Sequence, residues 1–121
     1  MGGLTLLVSV QVFALLKARS LRGKPVAGLT GSLGQAVAAG RRVVVYCYSD
    51  ACAACRAQTP VMDTLQREVP DIYKIDVVND RENARALSVM GTPATVIIEG
   101  GIVREYLLGA KTEADLRKRF R

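Results

Sequence analysis

An α/β domain preceded by an N-terminal hydrophobic helix is the architecture that this 121-residue sequence predicts. Three observations carry that expectation. Residues 2–16 hold no charged side chain. From residue 30 onward, segments with the apolar spacing of helices alternate with runs of strand formers. The length suits one compact domain with an appendage and falls short of two ordinary domains.

In the run from Gly2 to Leu16 only Thr5, Ser9 and Gln11 are distinctly polar. A membrane helix needs roughly 20 apolar residues, so the run is short, but Lys17 and Arg19 can snorkel from its end and offset part of the deficit. A cleaved signal peptide has its positive charge before the apolar run and small residues after it, the reverse of the order here. A buried core helix would show polar residues recurring along one face. The expectation is therefore a membrane-anchor helix over 1–18, a basic linker over 19–29 and a domain over 30–121. Lys17, Arg19, Arg22 and Lys24 follow the apolar run with no acid among them. Such a bias predicts a single-pass chain with its domain on the cytoplasmic side; a domain facing the periplasm or exterior is the alternative.

Beyond the linker, Ser32 to Ala39 reads as a short helix closed by Gly40, a favoured C-terminal cap. Arg42 to Tyr48 contains Val43-Val44-Val45-Tyr46 and reads as a buried central strand. Val61 and Leu65 have helical spacing within a segment from Cys52 to Glu68, where Pro60 predicts a kink and Pro70 a stop. Ile72 to Val77 follows as a strand, Asp80 to Leu87 as a helix with Asp80 as its cap, and Ala94 to Ile98 as a third strand. Gly100-Gly101 predicts a hairpin turn into Ile102 to Leu108. Thr112 to Asp115 resembles a capping box ahead of a last helix carrying Leu116 and Phe120.

Composition excludes several functions. Lys and Arg number 17 against 11 Asp and Glu, a net charge of +6. Four of the positive charges lie between residues 17 and 24, so the remainder of the chain is nearly balanced. Nucleic acid is not an expected partner, since aromatics are few, Trp is absent and the basic charge is concentrated beside the apolar run. The absence of His removes imidazole-based zinc sites, triads and general bases. Three cysteines do not make a disulfide framework, and the pair Cys52 and Cys55, spaced Cys-x-x-Cys, reads as either redox or metal chemistry.

Taken together, several motifs in residues 30–121 resemble the thioredoxin superfamily. Tyr46-Cys-Tyr-Ser-Asp-Ala-Cys-Ala-Ala-Cys55-Arg looks like the family's strand and active-site helix start. Pro60 falls at its helix proline, Gly91-Thr92-Pro93 at its cis-proline loop, Gly101 and Gly109 at its hairpin and late-strand glycines, and Lys74 at its central-strand lysine. The resemblance implies a thioredoxin-like three-layer fold, with a mixed sheet of about four strands flanked by helices and the family's first strand missing. It implies a protein thiol-disulfide oxidoreductase with no cofactor beyond a redox-active Cys52–Cys55 disulfide and no metal. Protein thiols and disulfides would be its substrates, with a further, unknown partner to recharge the pair. Thr92 and Pro93 would then border the substrate.

Elementary chemistry agrees. Cysteines three apart in a first helical turn lie on one face, within disulfide reach. Cys52 at the helix start gains thiolate stabilisation from free N–H groups and the helix dipole, which suits a nucleophile, and Cys55, one turn inside, suits the resolving thiol. Arg56 adds positive potential or is a plain exposed charge. The family's buried acid is replaced by Tyr46 and its Gly-Pro by Ala53-Ala54, so Lys74 or Asp76 enters as a substitute base or, more simply, as a structural ion-pair member. Cys47 alternates away from Tyr46 and is expected in the core. Two other functions fit the same residues: a metal module that pools the cysteine pairs of two chains, and a non-catalytic scaffold for a membrane partner.

Overall fold

The computed structural model describes the backbone of residues 2–120 and, apart from residues 2–8, 10, 11 and 14, their side chains. Four strands form one mixed sheet: β1 (Val43–Tyr48), β2 (Ile72–Asp76), β3 (Ala94–Glu99) and β4 (Ile102–Leu108), in the order β2-β1-β3-β4. β2 runs parallel to β1, whereas β3 is antiparallel to both β1 and β4. Helices α1 (Gly2–Leu21), α2 (Gly31–Ala38), α3 (Ala53–Glu68), α4 (Arg81–Ala86) and α5 (Glu113–Phe120) complete the chain. Each strand and helix expected beyond residue 30 forms in the expected order, with ends shifted by a residue or so.

Alternation along β1 divides two cores. Val43, Val45 and Cys47 face one core with Leu33, Val37, Val96, Ile98 and Tyr106, while Val44 and Tyr46 face the other with Met62, Leu65, Ile97 and Leu116. The period of two in a strand buried on both faces is why β1 is apolar throughout. Cys47 is fully buried in the first core, as expected. The buried residues of α3, Cys55, Gln58, Met62 and Leu65, recur at three- and four-residue spacing, Met62 and Leu65 join the second core, and Pro60 sits within the helix without ending it. Asp80 caps α4 by accepting from the Asn83 N–H, and the Thr112 hydroxyl accepts from the Asp115 N–H ahead of α5.

The N-terminal segment departs from expectation. A helix does form, yet among the described residues no helix is long and apolar enough to cross a membrane, so the expected transmembrane span is not found there. The side chains of residues 1–8, 10, 11 and 14, on which much of that expectation rests, lie outside the described residues. The last turn of α1 instead belongs to the domain: Ala18 is buried and Leu21 packs against the first core. Within the expected linker, Gly23, Lys24 and Val26 pair with the domain. Gly23 N donates to Val103 O at 2.7 Å, Val103 N to Lys24 O at 3.0 Å and Val26 N to Gly101 O at 2.8 Å. The cause is the open edge of β4, whose unpaired main-chain groups need partners that no neighbouring strand supplies. Among the described residues no strand precedes β1, and an isolated antiparallel bridge joins Pro25 to Ile102 on the β4 edge.

Leu116 is fully buried where α5 meets the second core. Leu116→Ala should lower unfolding stability by roughly 2–5 kcal/mol, the ordinary consequence of a buried Leu-to-Ala cavity. Urea denaturation followed by circular dichroism measures it; a loss below about 1 kcal/mol would mean that α5 is not part of the cooperative core.

Candidate active site

The last hydrogen-bonded residues of β1 hand the chain to Ser49–Ala51 and then to Cys52, the N-cap of α3. Cys52 has extended backbone angles, φ −89° and ψ 111°, and its Sγ accepts from the Cys55 N–H at 3.2 Å. Sulfur thus occupies the place that a Ser or Asp oxygen usually takes at a helix start. Cys52 and Cys55 form a disulfide with their Cα atoms 5.2 Å apart. The two sulfurs differ in access: Cys52 is half-buried, whereas Cys55 is 2% exposed. Once the bond is reduced, the N–H aimed at Cys52 and the positive end of a 16-residue helix favour its thiolate.

Antiparallel register brings the second half of the site to the same end of the sheet. Cys47 stands opposite Ala94, so the loop before β3 and the loop after β1 emerge together. Thr92–Pro93 is a cis peptide bond, as the resemblance implies, with Pro93 buried and Thr92 half-buried. Gly109 N donates to Pro93 O at 2.8 Å; Gly109 has φ +82°, a conformation that glycine adopts readily. At the start of this loop the Tyr106 hydroxyl donates to the carbonyls of Leu87 and Ser88 at 3.2 and 3.0 Å, and burial pushes its pKa up. Ser88 has φ +55°.

Beneath the pair, Tyr46 takes the place that the family gives to a buried acid. Its hydroxyl lies 2.9 Å from Thr59 Oγ1 and 3.4 Å from the Cys55 carbonyl oxygen. Burial raises the Tyr46 pKa, partly opposed by the Thr59 hydrogen bond, and a phenol so placed is neutral at physiological pH. Lys74 and Asp76 are each taken up by partners other than the cysteines. Lys74 Nζ is 2.7 Å from Asp63 Oδ1 in a solvent-facing ion pair. Asp76 accepts from the N–H groups of Val78 and Asn79 and so holds a turn. Arg56 is exposed on α3 beside Cys55 and lines a cleft with Tyr48, Asp50 and Thr59. Among the described residues no group of three or more metal-ligating side chains converges.

Two residues of this site escape sequence reasoning. Thr59 is defined only by its bond to Tyr46. Gln58 is 2% exposed and its Oε1 accepts from Lys111 N at 2.6 Å, tying α3 to the segment after β4. A Gln on the otherwise apolar stripe of α3 was the available signal.

Fold and site together define a dithiol protein built on a four-stranded mixed sheet, with its disulfide at a helix start and a cis-proline loop at the same sheet end. The chain belongs to the thioredoxin family, whose model, described as Thioredoxin, matches residues 30–121. It is similar to thioredoxin of Bacillus subtilis (strain 168), with 33% identity over 70 residues that cover 55% of this chain and 67% of that protein. Among solved structures, Fasciola hepatica thioredoxin aligns with a TM-score of 0.60 and 32% identity over 67% of this chain and 79% of its own. A mutant thioredoxin from Halobacterium salinarum NRC-1 aligns with a TM-score of 0.68 and 26% identity over 78% of this chain and 84% of its own.

Cys47 provides a test of this geometry. Burial, with a smaller contribution from the Asp80 charge, pushes its pKa up to about 12, so the folded protein keeps it a neutral thiol across the physiological range. In the oxidised protein, iodoacetamide at pH 8 should leave Cys47 unlabelled for hours and label it rapidly once denaturant is added, as read by peptide mass spectrometry. Fast labelling under native conditions would show that the first core opens at Cys47.

Proposed function

We propose that this chain exchanges electrons with protein disulfides through Cys52, with Cys55 as the resolving thiol. The observation that carries this reading is the asymmetry of the pair: one sulfur accessible at the N-cap of α3, its partner shielded behind it. In the reducing direction the Cys52 thiolate attacks a substrate disulfide, forming a mixed disulfide and releasing one substrate thiolate, which takes up a proton. Cys55 then loses its proton and attacks Cys52 Sγ, which releases the second substrate thiolate. Two electrons have passed to the substrate, and Cys52–Cys55 is again a disulfide. The oxidising direction is the same sequence reversed. No carboxylate stands in Tyr46's place to accept the Cys55 proton, so a leaving substrate thiolate or solvent takes it. Thr92 and Pro93 border the substrate, in support of which the loop is fixed from both sides, by Gly109 and Tyr106. Arg56 contributes positive potential, and Lys74 acts through its ion pair rather than as a base. The pair needs no bound cofactor, and a separate redox partner returns it to its starting state.

The same reading holds the domain at a membrane through α1. Val12, Phe13, Leu15 and Leu16 are 46–67% exposed on this helix, and Lys17 and Arg19 follow them. An apolar face bordered by cations suits the interface between acyl chains and anionic headgroups. In this reading the domain lies on the cytoplasmic side, in support of which the cations that follow the apolar run suit the anionic cytoplasmic leaflet.

Replacing Cys55 by Ser should abolish turnover while trapping a substrate mixed disulfide at Cys52, detected on non-reducing gels and mapped by mass spectrometry. Trapping at any other cysteine would sink the assignment. For location, the full chain should sediment with membranes, and removal of residues 2–16 should release it. A reporter fused after Arg121 should be active only in its cytoplasmic form; activity of an export-dependent reporter would put the domain on the opposite side.

A further inference from the structure

Beside the proline loop an open cleft of about 680 Å³ runs between α4 and the end of α1. Its floor is apolar, with Val77, Val89 and Met90, and one end is formed by Gly91 and Thr92. Its charged lining is Lys17, Arg81 and Arg85, and no acidic side chain lines it. None of these three cations has an ion-pair or side-chain hydrogen-bond partner among the described residues, so nothing in the cleft offsets their charge. A smaller cleft lined by Pro93, Leu108 and Gly109 shares Met90, Gly91 and Thr92 with it, so the cationic surface is continuous with the redox loop.

Main-chain groups give the second observation. Met90, Gly91 and Thr92 lie outside every helix and strand, and none takes part in a main-chain hydrogen bond with a described residue. Exposed N–H and C=O groups in a row are satisfied by an extended polypeptide laid alongside, and lipid headgroups do not offer that pattern. Three unneutralised cations over an apolar floor then select the side chains that such a polypeptide carries.

We propose that this cleft is a specificity subsite for acidic substrates: a protein whose disulfide is flanked by Asp or Glu, with the flank seated between Arg81, Arg85 and Lys17. The proposal rests on the oxidoreductase reading and adds the substrate class to it. Charge complementarity of this kind acts mainly on encounter, and it weakens as salt shortens the Debye length to about 3 Å at 1 M.

The test uses the full chain, reduced beforehand, and three synthetic peptides with the same internal disulfide, flanked on one side by three Glu, three Ser or three Lys. At low salt the Glu peptide should be reduced about tenfold faster than the Ser peptide, and the Lys peptide should be slowest, a spread at the lower end of electrostatic steering effects. The spread should collapse in 1 M salt, and the double variant Arg81→Glu with Arg85→Glu should invert the order. Hydroxyethyl disulfide, too small to reach the cleft, should react equally with wild type and variant. Equal rates for the three peptides, or an order unmoved by charge reversal, would overturn the proposal while leaving the redox reading intact. Should wild type fail to reduce even hydroxyethyl disulfide, the redox reading falls. Binding then decides the subsite: a Glu peptide with Ser for Cys should shift the NMR signals of Val89 and Met90, and absence of those shifts overturns the proposal. Phosphatidylserine vesicles that bind through the same three cations while the Glu peptide does not would likewise reject it, in favour of a lipid surface.

Discussion

Antiparallel pairing of β1 with β3, in the register that sets Cys47 opposite Ala94, governs where the chemistry can sit. The end of β1 and the start of β3 then lie at one end of the sheet, and whatever follows Tyr48 meets whatever precedes Ala94. A slip of one residue would exchange the two cores and turn Tyr46 away from α3. Because β1 is buried on both faces, such a slip would be strongly opposed. The disulfide at Cys52 and Cys55 and the loop at Thr92 and Pro93 are therefore placed by packing far from either.

The polar layer beneath the pair is neutral. Where the family has a buried acid, Tyr46 meets Thr59 and the carbonyl of Cys55, so that the hydroxyl satisfies groups at the first turn of α3 without introducing a charge. Burying an unpaired carboxylate there would cost several kcal/mol, and the phenol avoids that cost but cannot act as a base near neutral pH. The nearby charges do not compensate: Lys74 is taken up by Asp63 at the surface and Asp76 by its own turn. Thiolate stabilisation is left to the helix start, where the Cys55 N–H points at Cys52 Sγ.

At the other side of the sheet the edge of β4 explains the N-terminal segment. Without a further strand, its main-chain groups are met by Gly23, Lys24 and Val26, and this contact draws the end of α1 onto the domain through Ala18 and Leu21. The same docking carries Lys17 to the rim of the cleft beside the proline loop. The segment before the domain thus contributes to a surface that touches the site.

Local signals determined most of the elements. Runs of strand formers specified the strands, Gly100-Gly101 the hairpin, Asp80 and Thr112 the helix starts, and the Cys-x-x-Cys spacing a pair of thiols on one face of a helix start, which the family resemblance made a redox disulfide. Each of these is encoded within a few neighbouring residues, which is why reading along the chain recovers it. Tertiary structure decided what depends on a distant partner. The union of Tyr46 with Thr59, the tie from Gln58 to Lys111, the hold of Tyr106 on the loop after α4 and the meeting of Lys17 with Arg81 and Arg85 each require two separate segments to pack together. So does the pairing of residues 23–26 with β4, since an open strand edge is a property of the assembled sheet and has no counterpart in the order of the residues.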